Sequence, residues 1–279
     1  VSATLGDNKT VFTKFNNPEK NLSNHYEGKV LGEIWGYRVD GLFASDEEAA
    51  EYTSKINQDA VNERILTDKV DPYYRAGDLK FRDLDGDNVI SKGDDTAYDA
   101  GDREIIGNET PRYMYSFRLG ADWNGFDLGI FFQGVGKRDW YPNYLSTGFW
   151  GPYSRAFTSF IPENFMDQCW SEENRDGYFP RFRGYQTFAG SQLGVNNDRY
   201  LQDASYIRLK NLTVGYTLPV LKKVFTKLRV YFTGENLWYW SPMLKHTKYI
   251  DPEAAGGNGN TGMAYNYSRN FSVGVDITF

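Results

Sequence analysis

The chain has 279 residues and a formal net charge of −6, which bounds it to one large or two ordinary domains and argues against nucleic acid as a partner. Its single cysteine, Cys169, excludes an internal disulfide. Mean hydropathy is −0.61 and no apolar run approaches the ~18 residues of a membrane-crossing helix, but transmembrane strands, whose faces alternate and average out, stay open.

Val1-Ser-Ala-Thr-Leu5 already alternates at period two. The sequence therefore reads as opening inside a strand, with no signal peptide, as a piece of something larger. Ser45-Asp-Glu-Glu48 is a capping box, with Ser45 capping and Glu48 reaching back. It predicts a short helix whose Ala49, Tyr52 and Ile56 share a face, on a solvated surface.

Asp83-Leu-Asp-Gly-Asp-Asn-Val-Ile-Ser-Lys-Gly-Asp94 is the best metal candidate. Asp83, Asp85 and Asp87 stand at the first, third and fifth positions of a calcium loop. Val89 would offer a backbone carbonyl, Ser91 a hydroxyl or a water bridge, and Asp94 the closing carboxylate. Asn88 replaces the usual glycine, and Asp94 is shorter than the usual bidentate glutamate. Structural Ca2+ and an Asp/Gly-rich turn held by side chain–backbone bonds are both open readings. Asp99 and Asp102 lie close enough in sequence to assist.

Tyr113 to Trp123 alternates, with apolar or aromatic odd positions and Ser116, Arg118, Gly120 and Asp122 between them. Asn124-Gly125 is a hairpin turn, and Phe126 to Gln133 continues the pattern. Leu212, Val214, Tyr216 and Leu218 form another apolar face ended by Pro219; a bulge or a change of environment would explain the phase slip between Leu209 and Leu212. Leu228, Val230 and Phe232 alternate with Arg229, Tyr231 and Thr233. In the closing run, Phe271, Val273, Val275, Ile277 and Phe279 fall on one face and Ser272, Gly274, Asp276 and Thr278 on the other. Lipid would touch the first set and the lumen of a barrel the second. Phe271, Gly274, Ile277 and Phe279 also fit the aromatic-terminated ending that resembles the assembly signal of bacterial barrel proteins. An amphipathic sandwich strand is the rival reading of this run taken alone.

Connections alternate in length. Asn124-Gly125 and Pro219–Thr226 are short, whereas 134–199 and 241–268 are long. Outer-membrane barrels sort their loops this way, with short periplasmic turns and long extracellular loops. With the carboxy terminus at the periplasmic end, 7–111 and 134–199 become extracellular. Arg118, Asp122, Arg229 and Asp276 then face the lumen, where they wet the path or form ion pairs of the wall. Aromatic residues make up 17% of the chain, which suits interfacial girdles and sugar-stacking surfaces alike. Trp140, Tyr141, Trp150 and Tyr153 are candidate substrate contacts, since flat rings match the C–H faces of pyranoses; packing against a partner or a place in the girdle competes.

Signals for catalysis are poor. His25 and His246 have no metal-ligand spacing, and no nucleophile elbow or phosphate loop occurs. Cys169 has no assignable base, and the adjacent pairs Asp94-Asp95 and Glu172-Glu173 point apart.

Several blocks together resemble the SusC/RagA family of TonB-dependent outer-membrane transporters, typical of Bacteroidetes. They are Gly32-Glu-Ile-Trp-Gly-Tyr-Arg-Val-Asp-Gly-Leu-Phe43, Gly77 to Asp87, Ile106 to Pro111, Gly125-Phe-Asp-Leu with Phe131-Phe-Gln-Gly134, Asp203 to Pro219, Thr233-Gly-Glu-Asn-Leu237 and Asp251-Pro-Glu253. They keep the family's order from about Gly32 to Phe279, while Tyr52–Asp71 and Trp140–Arg183 match no fixed pattern. The resemblance implies an all-β fold, the carboxy-terminal part of a roughly 22-stranded antiparallel transmembrane β-barrel with long extracellular loops. The plug domain would lie upstream. It implies a non-enzymatic importer of glycans, or of peptides in the RagA branch. It also implies a SusD-like surface lipoprotein as lid, TonB acting through the plug, outer-membrane lipid around the wall, and pairing of two such complexes. The competing classes are a secreted calcium-stabilised carbohydrate-binding β-protein and a glycoside hydrolase fragment.

Overall fold

The computed structural model describes residues 1–279 except 156, 158, 160, 162, 220–225 and 256–264. A six-stranded antiparallel sheet runs in simple chain order. Its strands are β1 (Ser2–Gly6), β2 (Arg112–Trp123), β3 (Phe126–Lys137), β4 (Tyr206–Leu218), β5 (Lys227–Trp240) and β6 (Asn270–Thr278). The four central strands have 12 to 14 residues, longer than the ~9–11 that cross a bilayer at a tilt. The β2–β3 turn follows from its sequence. Asn124 and Gly125 both take positive φ, 47° and 85°, as the tightest hairpin turn requires. The interior of the expected short turn after Pro219 lies outside the described residues, as does the whole Gly256–Gly262 run.

Register gives the sheet two unlike faces. Phe117 pairs with Phe132, Leu119 with Ile130 and Trp123 with Phe126. Leu128 pairs with Val214 and Phe126 with Tyr216. Val214 pairs with Phe232, and Val230 with Val275. This apolar face is bare. Trp123 is 76% exposed, Val273 77%, Phe271 65% and Leu5 72%. A contiguous apolar surface of this extent is foreign to a water-facing wall and is what hydrocarbon covers. The opposite face carries Arg118, Gln133, Asp127, Thr213, Arg229 and Asp276, by the same pairing.

The phase slip is a bulge. The pairing of β4 shifts against both neighbours between Leu209 and Asn211. On β5 the shift is accompanied by Asn236 at a φ of 52°, a conformation asparagine tolerates better than most residues. The extra residue keeps Ile207, Leu209, Trp238 and Trp240 on the outer face beyond the slip.

The long segments fold together into a cap at one end of the sheet. Four small two-stranded sheets form within single segments, among them Glu33–Tyr37 with Arg103–Asn108 and Asp139–Trp140 with Gln202–Asp203, and a bridge between Tyr37 and Asn197 joins the first segment to the second. One apolar cluster draws on all three long segments, with Phe81, Trp150, Phe179 and Ile250 among its buried members. The boundaries differ slightly from expectation. β3 runs on to Lys137 and β4 begins at Tyr206, so the second cap segment is 138–205 rather than 134–199. The helix forms as α1 (Asp46–Thr53), with Ser45 Oγ accepting from Glu48 N at 3.1 Å. Glu48 reaches back to the Ala44 N–H, one residue beyond the expected partner, and pairs with Lys80. The helix is not merely solvated: Ala49 is buried, and the Tyr52 hydroxyl donates to the Phe81 carbonyl.

Candidate functional site

The inner face of the sheet carries an ionic strap. Arg229 on β5 donates to Asp127 on β3, Nε to Oδ2 at 2.9 Å, and to Asp276 on β6, Nη1 to Oδ2 at 3.0 Å. The link to Asp127 passes over β4. It can do so because Gly215 stands in between: a Cβ there would lie 2.1 Å from Asp127 Oδ2 and 2.7 Å from Arg229 Nε. The guanidinium also lies 4.6 Å from the Tyr231 ring centre, and that ring covers Gly274, where a Cβ would approach Tyr231 Cζ to 2.3 Å. Gly274, read as part of an assembly signal, is thus also a seat for a cross-strand ring. Arg229 and Asp276 act as wall partners; Arg118 instead lies over the Phe131 ring, and Asp122 faces Asp127 across the hairpin.

Where wall meets cap, charges are buried. Arg208 and Asp251, each 1% exposed at the side chain, pair directly, and Lys210 holds Glu253 at 2.8 Å. This explains the chemistry behind the Asp251-Pro-Glu253 block: both its acids tie the last long segment to β4. Arg183 and Asp78 form a second buried pair at 3.0 Å, and burial pushes the Asp78 carboxyl up while Arg183 opposes the shift.

The acidic loop is built differently from a calcium loop read in sequence. Asp83, Asp85 and Asp102 bring oxygens within 4.8 Å of one another. Asp102, not Asp94, is the third carboxylate; Asp87 and Asp94 do not join this cluster, and the Ser91 hydroxyl accepts from Gly93 N–H at 3.1 Å. The reason is local. Asp83 accepts from Gly86 and Asn88 N–H, Asp87 from Val89 N–H, and buried Asp102 from Leu84 and Ser91 N–H, which folds the loop onto itself. Burial also pushes the Asp102 carboxyl up. Asn88 takes the left-handed backbone expected of it, φ 66°.

The four candidate sugar contacts are corrected. Trp140 is 2% exposed, Tyr141 8%, and Trp150 and Tyr153 are sealed. Trp150 Nε1 donates to Pro142 and Asn143 carbonyls, and the Tyr153 hydroxyl to the Pro180 carbonyl. Rings packed on both sides inside the cap core have no face left for a pyranose. The remaining single groups are structural too. His246 stacks on Tyr178 at 3.6 Å, burial holds the Cys169 thiol up, and His25 stacks on Phe12.

A sheet with a lipid-type outer face, a charged inner face and a folded cap at one end is a segment of a transmembrane β-barrel. No family model matches the chain. It is 30% identical over 269 residues, 91% of its length, to TonB-dependent receptor P3 of Formosa agariphila, of which it covers 22%. It is 28% identical over 216 residues, 73% of its length, to TonB-dependent receptor P26 of the same organism, covering 20% of that protein. Among solved structures, it matches the RagAB peptide transporter with a TM-score of 0.54 at 22% identity, over 98% of this chain and 24% of that one. The closed-closed state of the RagAB peptide importer gives 0.54 at 20% identity, over 99% of this chain and 27% of that one. The chain is similar to TonB-dependent receptors over 91% of its length, and its fold is that of part of the outer-membrane barrel of the RagAB transporter. It spans about a fifth of the curated relatives it matches. The bare outer face argues against a secreted carbohydrate-binding protein, and the relatives are receptors and transporters rather than enzymes.

Proposed function

We propose that this chain forms the carboxy-terminal part of a barrel that imports oligosaccharides across the outer membrane, energised by TonB through a plug and lidded by a SusD-like lipoprotein. The observation that supports this most directly is the pairing of a bare apolar outer face with a charged inner face under a folded cap. Cargo held between cap and lid would enter the lumen when the plug is displaced. In cells carrying the full-length transporter, uptake of labelled oligosaccharide should require TonB, and the lipoprotein should co-purify with the barrel. TonB-independent uptake would overturn the reading.

Peptide cargo is a second reading with specific support. The rings that would have stacked sugars are consumed by the cap core, and the fold matches that of a peptide transporter. Competition by short peptides, but not by oligosaccharides, would select it.

We also propose a structural Ca2+ at Asp83, Asp85 and Asp102. Three convergent carboxylate oxygens suit a hard cation, and neutralising them would relieve the charge crowding around buried Asp102. In the full-length protein, a chelator should lower the melting temperature of the cap, and excess Ca2+ should restore it; no response to either would exclude the ion.

A further inference from the structure

A cavity of about 500 Å³ lies between the segment after β1, the small sheet Glu33–Tyr37/Arg103–Asn108 and the cap ends of β2 and β3. That volume is in the range of small-ligand sites. The alternation that sets Arg118 and Gln133 on the inner face of the wall continues to Arg112 and Lys137, which both line the cavity. A ligand entering the lumen from the cap side would pass it.

Its charges are unequally committed. Glu33 accepts from Val30 N–H at 2.8 Å and from the Tyr26 hydroxyl at 2.9 Å, Asp139 accepts from Asn108 N–H at 2.8 Å, and Arg112 is held by Asp7. The anions of the lining therefore already have internal donors. Among the described residues the ammonium group of Lys9 has no hydrogen bond or ion pair, and that of Lys137 has none beyond the longer-range attraction of Asp139. Beside these cations the lining presents Leu31, 40% exposed, and Ile105, 48% exposed, and no aromatic ring.

We infer that this cavity is a cargo subsite for a carboxylate carried next to an aliphatic surface, with Lys9 and Lys137 receiving the anion and Leu31 and Ile105 the apolar part. The inference rests on the import reading, and it narrows the cargo. Two sources share the chemistry: the terminal carboxylate of a short peptide and the acid group of a uronate oligosaccharide. The aliphatic lining favours the peptide, because sugar faces call for rings.

Binding to the full-length transporter in complex with its lipoprotein decides the matter. The probes are trileucine, trileucine amide and trigalacturonate, measured by calorimetry at low salt. Trileucine or trigalacturonate should bind, and the Lys9→Ala/Lys137→Ala double variant should bind the same probe ~10-fold more weakly, as the loss of charge-assisted bonds implies. The Lys9→Arg/Lys137→Arg variant should keep the affinity, and trileucine amide should not distinguish the variants. Lysine-dependent binding of trileucine alone identifies the peptide source, and of trigalacturonate alone the uronate source. Equal affinity in native and alanine forms for both acids, or for acid and amide, overturns the subsite. TonB dependence of uptake is scored separately. Retained TonB-dependent uptake with lysine-independent binding sinks the subsite alone, and TonB-independent uptake with lysine-dependent binding sinks the import reading alone.

Discussion

Gly215 shows how one missing side chain organises the inner wall. Asp127 and Arg229 sit two strands apart and meet only because the strand between them has no Cβ at that point. Gly215→Ala should therefore break the strap at Asp127 while leaving the Arg229–Asp276 link, at a loss on the order of 1 kcal/mol, since the pair is partly solvated. The decisive measurement is a double-mutant cycle on the full-length protein. Gly215→Ala and Asp127→Asn should each destabilise, and together should do little more than either alone, as both remove the same contact. Full additivity would show that the glycine serves something else. This contact was invisible in sequence: a glycine in a strand reads as a weak point, and nothing in the spacing of Asp127 and Arg229 announces that they meet. Asp102 was hidden for a similar reason, because side chain–backbone bonds, not loop position, decide which carboxylates converge. The four buried rings of the cap were illegible because an irregular segment has no period, so neither face of a ring can be assigned to core or solvent.

The strands, by contrast, were readable. Period-two alternation places each side chain on a face without knowledge of its neighbours, and the closing run of β6 shows this best. Phe271, Val273, Val275 and Ile277 project outward, and even the slip at Leu209 was detectable, though only pairing revealed it as a bulge. An element so placed makes a depth-dependent prediction. Val275 lies mid-strand and 54% exposed on the outer face, so Val275→Arg should destabilise the folded barrel by ~2–4 kcal/mol in a bilayer, whereas Ser272→Arg on the inner face should not. Urea unfolding of the full-length barrel in lipid vesicles would measure both; equal effects would mean that lipid does not touch the outer face. The capping box is legible in the same local way. Ser45→Ala should cost about 1 kcal/mol of α1 stability, read as faster amide exchange over Asp46–Thr53.

At the scale of the molecule, two parts meet two solvents. The wall leaves its apolar side chains bare for lipid, and the cap seals its own into a water-surrounded core. The stability of the cap answers to pH, and His246 is placed to show it. It lies in the segment after β5 and stacks at 3.6 Å on Tyr178 of the segment between β3 and β4, so it joins two cap pieces distant in sequence. Burial, with Lys245 and Arg199 adding to it, lowers its pKa from 6.5 to about 4. A histidine whose folded pKa is depressed binds a proton more readily when unfolded. Its neutral form thus supports the cap fully above pH 6.5, and that support drains away as the pH falls toward 4. The melting temperature of the cap, followed by tryptophan fluorescence in the full-length protein, should be lower at pH 5 than at pH 7.5. His246→Gln should lower the value at pH 7.5 and shrink the difference between the two. An unchanged difference would place the pH response elsewhere, with the buried carboxyl of Asp78 unable to supply it: a raised carboxyl pKa makes the fold more stable, not less, as protons are added.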